Sequence, residues 1–313
     1  MPILSSTSDV KAHVSLAANF EFEDFKPYIN KAIVKFTYRY VGNLHITLAD
    51  EQVDPVLAEA RTRLQNAICN FGLFIYLPLG SVVLDGSGLS NYVNDNRTPL
   101  DWRKEKDIMR ELLSSGHEAM DQLLAYMEEN KDSFEIWATS PAYTESKKFL
   151  VSDTTTFNNY YHIFDSRQTY IALQPAMRQV EDKYIYSLIC REVVDHLKSD
   201  AFEGVKGQVK EYLQKAVVAF TIAKVCNEGL FIIDATGLKL RFDALPYDKV
   251  EAVDTDLLKS TVDGQTAAGR NYLKMVEAVI LNNLSEFNQC AVPIIVGQTG
   301  GYTPYNTQSV LSI

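Results

Sequence analysis

The sequence predicts a mainly α fold with small β-hairpins, built as two tandem copies of a helix-helix-hairpin-helix module that form a pseudo-symmetric pair of helical bundles. Three observations predict it. A stretch of the first half recurs in the second half, long segments of both halves carry apolar residues at three- and four-residue spacing, and short alternating segments follow the second helix of each copy. The length agrees, since 313 residues is about twice a usual domain. With 46% hydrophobic and 22% charged residues, the chain has enough apolar side chain to bury two cores.

The repeat is explicit. ARTRLQNAICNFGLFIYLPLGSVVLDGSGL (60–89) aligns without a gap to VKEYLQKAVVAFTIAKVCNEGLFIIDATGL (209–238). Leu64/Leu213, Gln65/Gln214, Ala67/Ala216, Phe71/Phe220, Gly80/Gly229, Asp85/Asp234, Gly88/Gly237 and Leu89/Leu238 are identical. Upstream, with one residue of slip, Pro27 falls on Pro175, Lys35 on Lys183, Phe36 on Tyr184 and Tyr38 on Tyr186. Downstream, HEAMDQLLAYMEENKDSF shares its apolar pattern with RNYLKMVEAVILNNLSEF, ending at Phe134 and Phe287.

Each element follows from local pattern. The first helix is expected from about Phe22 to Leu48, stacking Ile29, Ala32, Ile33, Phe36, Tyr40 and Leu44; its partner runs from about Tyr170 to Leu197. Pro27 and Pro175 are placed near the helix starts, where a missing N–H costs little. The second helix opens at Asp54-Pro55, a capping residue before a first-turn proline, and buries Leu57, Ala60, Leu64, Ile68, Phe71 and Phe74. Val205, Val209, Leu213, Ala216, Val217 and Phe220 repeat that stripe. In LFIIDATGLKLRF, Leu238, Leu240 and Phe242 alternate with Lys239 and Arg241, which is strand periodicity. Asp234 and Gly237 fit a four-residue turn, Asp accepting a local backbone bond and Gly supplying positive φ; Asp85 and Gly88 repeat that chemistry.

The third helix is expected from after Pro99 to about Phe134, with Ile108, Leu112, Ala119, Leu123 and Met127 inward and Gly116 at a kink. Its counterpart is about Tyr247 to Phe287, interrupted near Asp263-Gly264. Residues 138–168, rich in Ser, Thr and Tyr, read as an extended linker or short strand pair. The charge-poor tail lacks helical period. The domains are thus 1–137, 138–168, 169–288 and an arm at 289–313.

Chemistry is sparse in this pattern. The histidines His13, His45, His117, His162 and His196 are not paired at metal spacing, and HExxH is missing. GQTGG (297–301) lacks the Lys-Ser/Thr of a phosphate loop, and Ser87 lacks elbow spacing. Glu128/Glu129 and Asp107/Glu111 sit on charged helix faces, which solvates carboxylates rather than tuning them for acid–base work. Tyr160, Tyr161 and Phe164 have no interleaved cations for base stacking and read as packing against a neighbouring domain or subunit, while Trp102 and Trp137 flank the third helix, as core packing or as an interface rim. No catalytic, metal or cofactor-binding residue is therefore assigned, and the expectation is a non-enzyme without cofactor.

Thirty Lys+Arg against 40 Asp+Glu give a net charge of −10, which argues against gripping phosphate backbones over the whole surface and against sequence-specific nucleic-acid binding. The apolar run Phe71–Leu84 is too short to span a bilayer and is broken by Pro78 and Gly80. MPILSSTSDVKAH has no basic-then-apolar leader, so a cytoplasmic protein (or virion component) is expected. Cys69, Cys190, Cys226 and Cys290 lie far apart and read as free thiols of a reducing compartment.

SDVKAHVSLAANFEFEDFKPYINKAIVKFTYRYVGN resembles the start of an uncharacterised prophage-associated family of gut bacteria, through Phe22 or Phe25, Pro27-Tyr28-Ile29 and Gly42. LQPAMRQVEDKYIYSLICREVVDHL resembles the same entry in the second copy, with Cys190 where Gly42 aligns. Such proteins resemble the helical head–tail connector, or head-completion, proteins of tailed phages. The resemblance implies protein partners, a portal or neighbouring subunits, and a homo-oligomer. Two copies in one chain depart from the usual connector. The expected function is a non-enzymatic structural or assembly protein, a connector or adaptor subunit. The alternative is a bacterial interaction module holding a peptide or helix between the copies, with a hydrolase third.

Overall fold

Helices dominate the chain, as the periodicities predict. The computed structural model describes residues 2–16, 20–50, 52–80, 82–85, 88–91, 101–199, 202–226, 231–234, 237–240 and 255–287. It divides into two units. The described residues up to Glu145, with Asp165–Gln168, form the first; Ser146–Phe164 and the described residues from Thr169 onward form the second.

In the first unit, α1 (Thr7–Lys11) is closed by a capping box in which Ser6 Oγ accepts from the Asp9 N–H and Asp9 accepts from the Ser6 N–H. Next come α2 (Phe22–Ala32), a π segment (Ile33–Thr37), α3 (Tyr38–Val41) and α4 (Leu44–Thr47). The helix expected to run unbroken to Leu48 is therefore divided twice. Gly42 (φ 56°) ends it, because only a residue without Cβ takes that backbone at no cost. Pro27 lies inside α2 rather than at its start, removing an interior N–H. The π segment starts six residues after it.

Helix α5 (Pro55–Gly80) starts as predicted, with the Val56 N–H donating to Asp54 Oδ1 at 2.8 Å. It packs between α2 and α6 (Trp102–Glu129). Ala60, Leu64, Ile68 and Phe71 are fully buried, and so are Leu123 and Met127 on α6. Ile108, assigned to the inner face, is instead 44% exposed. Helix α6 runs through Gly116 without a break, so the expected kink is a packing feature instead. Strands β1 (Val82–Asp85) and β2 (Gly88–Asn91) pair antiparallel. After a 3-10 turn, α7 (Glu135–Ala138) and α8 (Pro141–Thr144) complete the unit.

The second unit opens in the segment expected to be an extended linker. It is not extended: a 3-10 turn (Glu145–Lys148) and α9 (Thr154–Tyr160) lie within it, and Phe149, Leu150, Val151, Phe157 and Ile163 join the core. The many Ser and Thr residues masked this apolar set. Helix α10 (Arg167–Val180) holds Pro175 in its interior, again six residues before a π segment (Glu181–Ile185). Helix α11 (Arg191–Ser199) follows a break, so this predicted helix is also two. Helix α12 (Gly204–Val225) buries Val209, Leu213, Ala216, Val217 and Phe220 against α13 (Thr255–Asn282). The interruption expected at Asp263-Gly264 is not there. A solvent-facing interior glycine costs a helix only about 1 kcal/mol, too little to break one held by packing. Strands β3 (Phe231–Asp234) and β4 (Gly237–Leu240) pair antiparallel. The arm at 289–313, GQTGG included, lies outside the described residues.

Candidate functional site

The two units share one internal device. In each, the aromatic side chain of the π segment lies flat on a phenylalanine of the central helix: Phe36 on Phe71 (4.2 Å, 9° between planes) and Tyr184 on Phe220 (4.1 Å, 7°). Against each phenylalanine also stands a glycine. A Cβ on Gly116 would lie 2.6 Å from Phe71, and one on Gly269 would lie 2.8 Å from Phe220. Lys35 and Lys183 place their ammonium groups over the outer rings, 4.8 and 5.0 Å from Phe36 and Tyr184. A π turn adds a residue to the helical circuit, and such turns recur where a side chain must be re-aimed. Here it turns the aromatic into the core while leaving the neighbouring lysine outside.

Copy-specific chemistry is built on this frame. At the head of the second π segment stands Glu181, where the first copy has Ile33. It is 3% exposed, receives the Leu150 N–H at 2.7 Å and pairs with Lys198 at 2.6 Å. Lys198 also donates to the Lys148 carbonyl and to Tyr186 Oη, both at 2.8 Å. Burial lifts the Glu181 carboxyl above its ordinary range, outweighing Lys198 and the Leu150 N–H. Burial also disfavours the Lys198 ammonium, but the Glu181 charge and the hydrogen bonds to Glu181 and Tyr186 outweigh it and hold the ammonium above its usual value. The network pins 148–150 to α11 and the π segment. Its chemistry is that of an anchor.

In the first unit, His117 and Asp121, one turn apart on α6, hold Gln168. Gln168 Nε2 donates to the His117 carbonyl (2.8 Å), its Oε1 faces His117 Nδ1 (2.9 Å), and its backbone N–H donates to Asp121 Oδ1 (3.0 Å). With the amide nitrogen committed to a carbonyl, Oε1 is the acceptor and Nδ1 carries the proton. Burial raises the Asp121 carboxyl, more than the hydrogen bonds from Gln168 and Ser166 lower it. Glu128, weighed as an acid–base group, pairs instead with Arg167 at 3.1 Å. Asp107 pairs with Arg110, and Glu111 accepts from Ser115.

Asp85 stands opposite Gly88 and Asp234 opposite Gly237, each the last pair of its ladder. Residues 86–87 and 235–236, Ser87 among them, lie outside the described residues. Trp137 is buried and donates to the Tyr40 carbonyl at 3.1 Å. Tyr160 and Tyr161 pack on the core of the second unit, while Phe164 is 45% exposed. Among the described residues no group of three His, Cys, Asp or Glu is placed to hold a metal ion, and no helix is long and apolar enough to cross a membrane. Cys69 and Cys226 are free and buried, whereas Cys190 is disulfide-bonded, so the expectation of four free thiols fails at that position. Cys290 lies outside the described residues.

A solitary Glu at a position aligned with a core Ile was the available signal for Glu181. Gln168 and Asp121 left none, because the chain returns to α6 only through the folded segment before it.

A family profile matches the chain twice, over residues 43–147 and 180–293, about two thirds of its length. The chain belongs to DUF6712, a family of unknown function. The two matches fall one in each half: the first begins after the first π segment and takes in Phe71, and the second takes in both Tyr184 and Phe220. No curated protein and no solved structure matches it.

Proposed function

We propose that this protein is a non-enzymatic assembly subunit, a phage-derived head–tail connector or adaptor, whose two copies form a pseudo-symmetric pair of helical bundles. The observation that carries the reading is the duplication itself: one family matched twice, with the same proline, π segment and stacked aromatic pair in both halves. Two like modules in one chain offer like faces, which suits repeated contacts in a closed assembly. The perturbed charged groups support it too, since Glu181, Lys198 and Asp121 all hold segments of the chain in place. A charge-poor C-terminal segment suits strand addition to a neighbour.

Light scattering over a concentration series, with imaging of the largest species, tests the reading. A closed ring of defined copy number is expected, and deleting 290–313 should shift it toward monomer. A monomer at every concentration overturns self-assembly, and a truncation that leaves the mass unchanged overturns the role of the arm.

A further inference from the structure

We propose that the outer face of α2 and its π segment is a docking surface for an acidic amphipathic helix of a partner protein. An open groove of about 410 Å³ lies there, lined by Asn30, Lys31, Val34, Lys35 and Ile75. Exposed residues recur in adjacent pairs four apart, Asn30-Lys31, Val34-Lys35 and Tyr38-Arg39. An α-helix alone would let such columns drift around the axis; the wider π turn brings them back into line. The outcome is a column of three cations beside a column holding Val34, 64% exposed, and Tyr38, 53% exposed.

The cations have no carboxylate partner among the described residues. Their charged groups lie over aromatic rings instead: Lys31 over Tyr28 (4.7 Å), Lys35 over Phe36 (4.8 Å) and Arg39 over Tyr40 (5.6 Å). In a chain of net charge −10, three such cations in a row are a local reversal of sign. The apolar column selects the occupant. Helix-in-groove recognition places apolar anchors against such a column, and carboxylates at i, i+4 and i+8 then meet the three cations. A nucleic-acid backbone would use the cations but leave Val34 and Ile75 unmatched.

The second copy supplies an internal control. Its equivalent residues Arg178-Gln179, Asp182-Lys183 and Tyr186-Ser187 keep the outward placement, with Tyr186 half-buried, but mix the charges. The surface is thus a property of the first copy, and it does not depend on ring assembly.

Fluorescence anisotropy on the full chain tests it, using a labelled helical peptide of about 18 residues with Glu at i, i+4 and i+8 beside Leu, a Gln-for-Glu version, and a duplex DNA of similar length. Saturable binding of the Glu peptide is expected, weakened by salt and lost with Gln. Lys31→Glu/Lys35→Glu and Val34→Asp should each weaken it about tenfold or more, and Lys183→Glu should leave it unchanged. Helical circular dichroism checks the folding of each variant, with Lys35→Gln and Val34→Thr as milder substitutes. The proposal is overturned by no saturable binding, by equal binding of both peptides or of the variants, by preference for DNA, or by a face that mediates only self-association.

Discussion

Phe71 is held between Phe36, stacked on it at 4.2 Å, and Gly116, whose missing side chain leaves room for the ring edge. An added methyl at Gly116 would meet the ring at 2.6 Å, and the ring is already packed face to face with Phe36 in the core. Gly116→Ala sets a helix-propensity gain of about 1 kcal/mol against an overpacking cost of about 1–3 kcal/mol. The expected outcome is net destabilisation. Gly264, with no atom within 4 Å of a built Cβ, is the contrast: Gly264→Ala should stabilise by about 0.5–1 kcal/mol. Urea denaturation of the two variants checks both signs, and equal effects would show that Phe71 is free to move.

Gln168 should be worth more to the first unit than its length suggests. It is fully buried, and Gln168→Ala removes both the acceptor that faces His117 Nδ1 and the extra bond to the His117 carbonyl, at a cost of about 1–3 kcal/mol. The Asp121 contact is to the backbone N–H and survives that change, so Asp121→Ala, which removes the acceptor, is the complementary variant. Hydrogen exchange should accelerate at residue 168 in Asp121→Ala and less in Gln168→Ala. The reverse order would show that the side-chain bonds are the anchor.

The sequence carried the architecture at the level of periodicity and repetition. Ala60, Leu64, Ile68 and Phe71 were legible as one stripe because a straight α-helix keeps its register over many turns. Both π segments were invisible, since a single wider turn alters burial by one position and leaves the apolar spacing readable as ordinary helix. Residues 146–164 were misread for another reason: their apolar members are spread among Ser and Thr, and only contact with α10 and α12 buries them. The polar anchors depend on segments distant in sequence, such as Leu150 with Glu181, and no local pattern encodes such a meeting.

The thiols give a direct solution test of core burial. Burial pushes Cys69 up to about 12 and Cys226 up to about 11, so almost no thiolate exists near pH 8. Neither should react with iodoacetamide in the native state at that pH, and both should react in denaturant without reductant. Cys190 should be labelled only after reduction. Peptide mapping by mass spectrometry distinguishes the three sites, and native labelling of Cys69 would contradict its place in the core.

The Glu181–Lys198 pair predicts a pH signature. Burial raises the Glu181 carboxyl above its ordinary 4.5, so the folded chain keeps a proton that the unfolded chain releases first. Stability therefore falls as pH rises from 4.5 through the raised value, by the excess of protons bound to the native state. Lys198 sits above its ordinary 10.5, so its contribution is complete below 10.5 and is lost as pH rises through the folded value. Lys198→Met leaves the carboxylate buried without its cation, which should cost about 3–5 kcal/mol at pH 8. The cost should shrink at pH 4.5, where the stranded carboxyl takes up a proton. Glu181→Gln should flatten the acid-side slope, because the amide keeps an acceptor for the Leu150 N–H and does not titrate. Urea denaturation of wild type and both variants from pH 4 to pH 9 measures these slopes. A Lys198→Met cost independent of pH would mean that water reaches Glu181 and that the anchor is a surface pair.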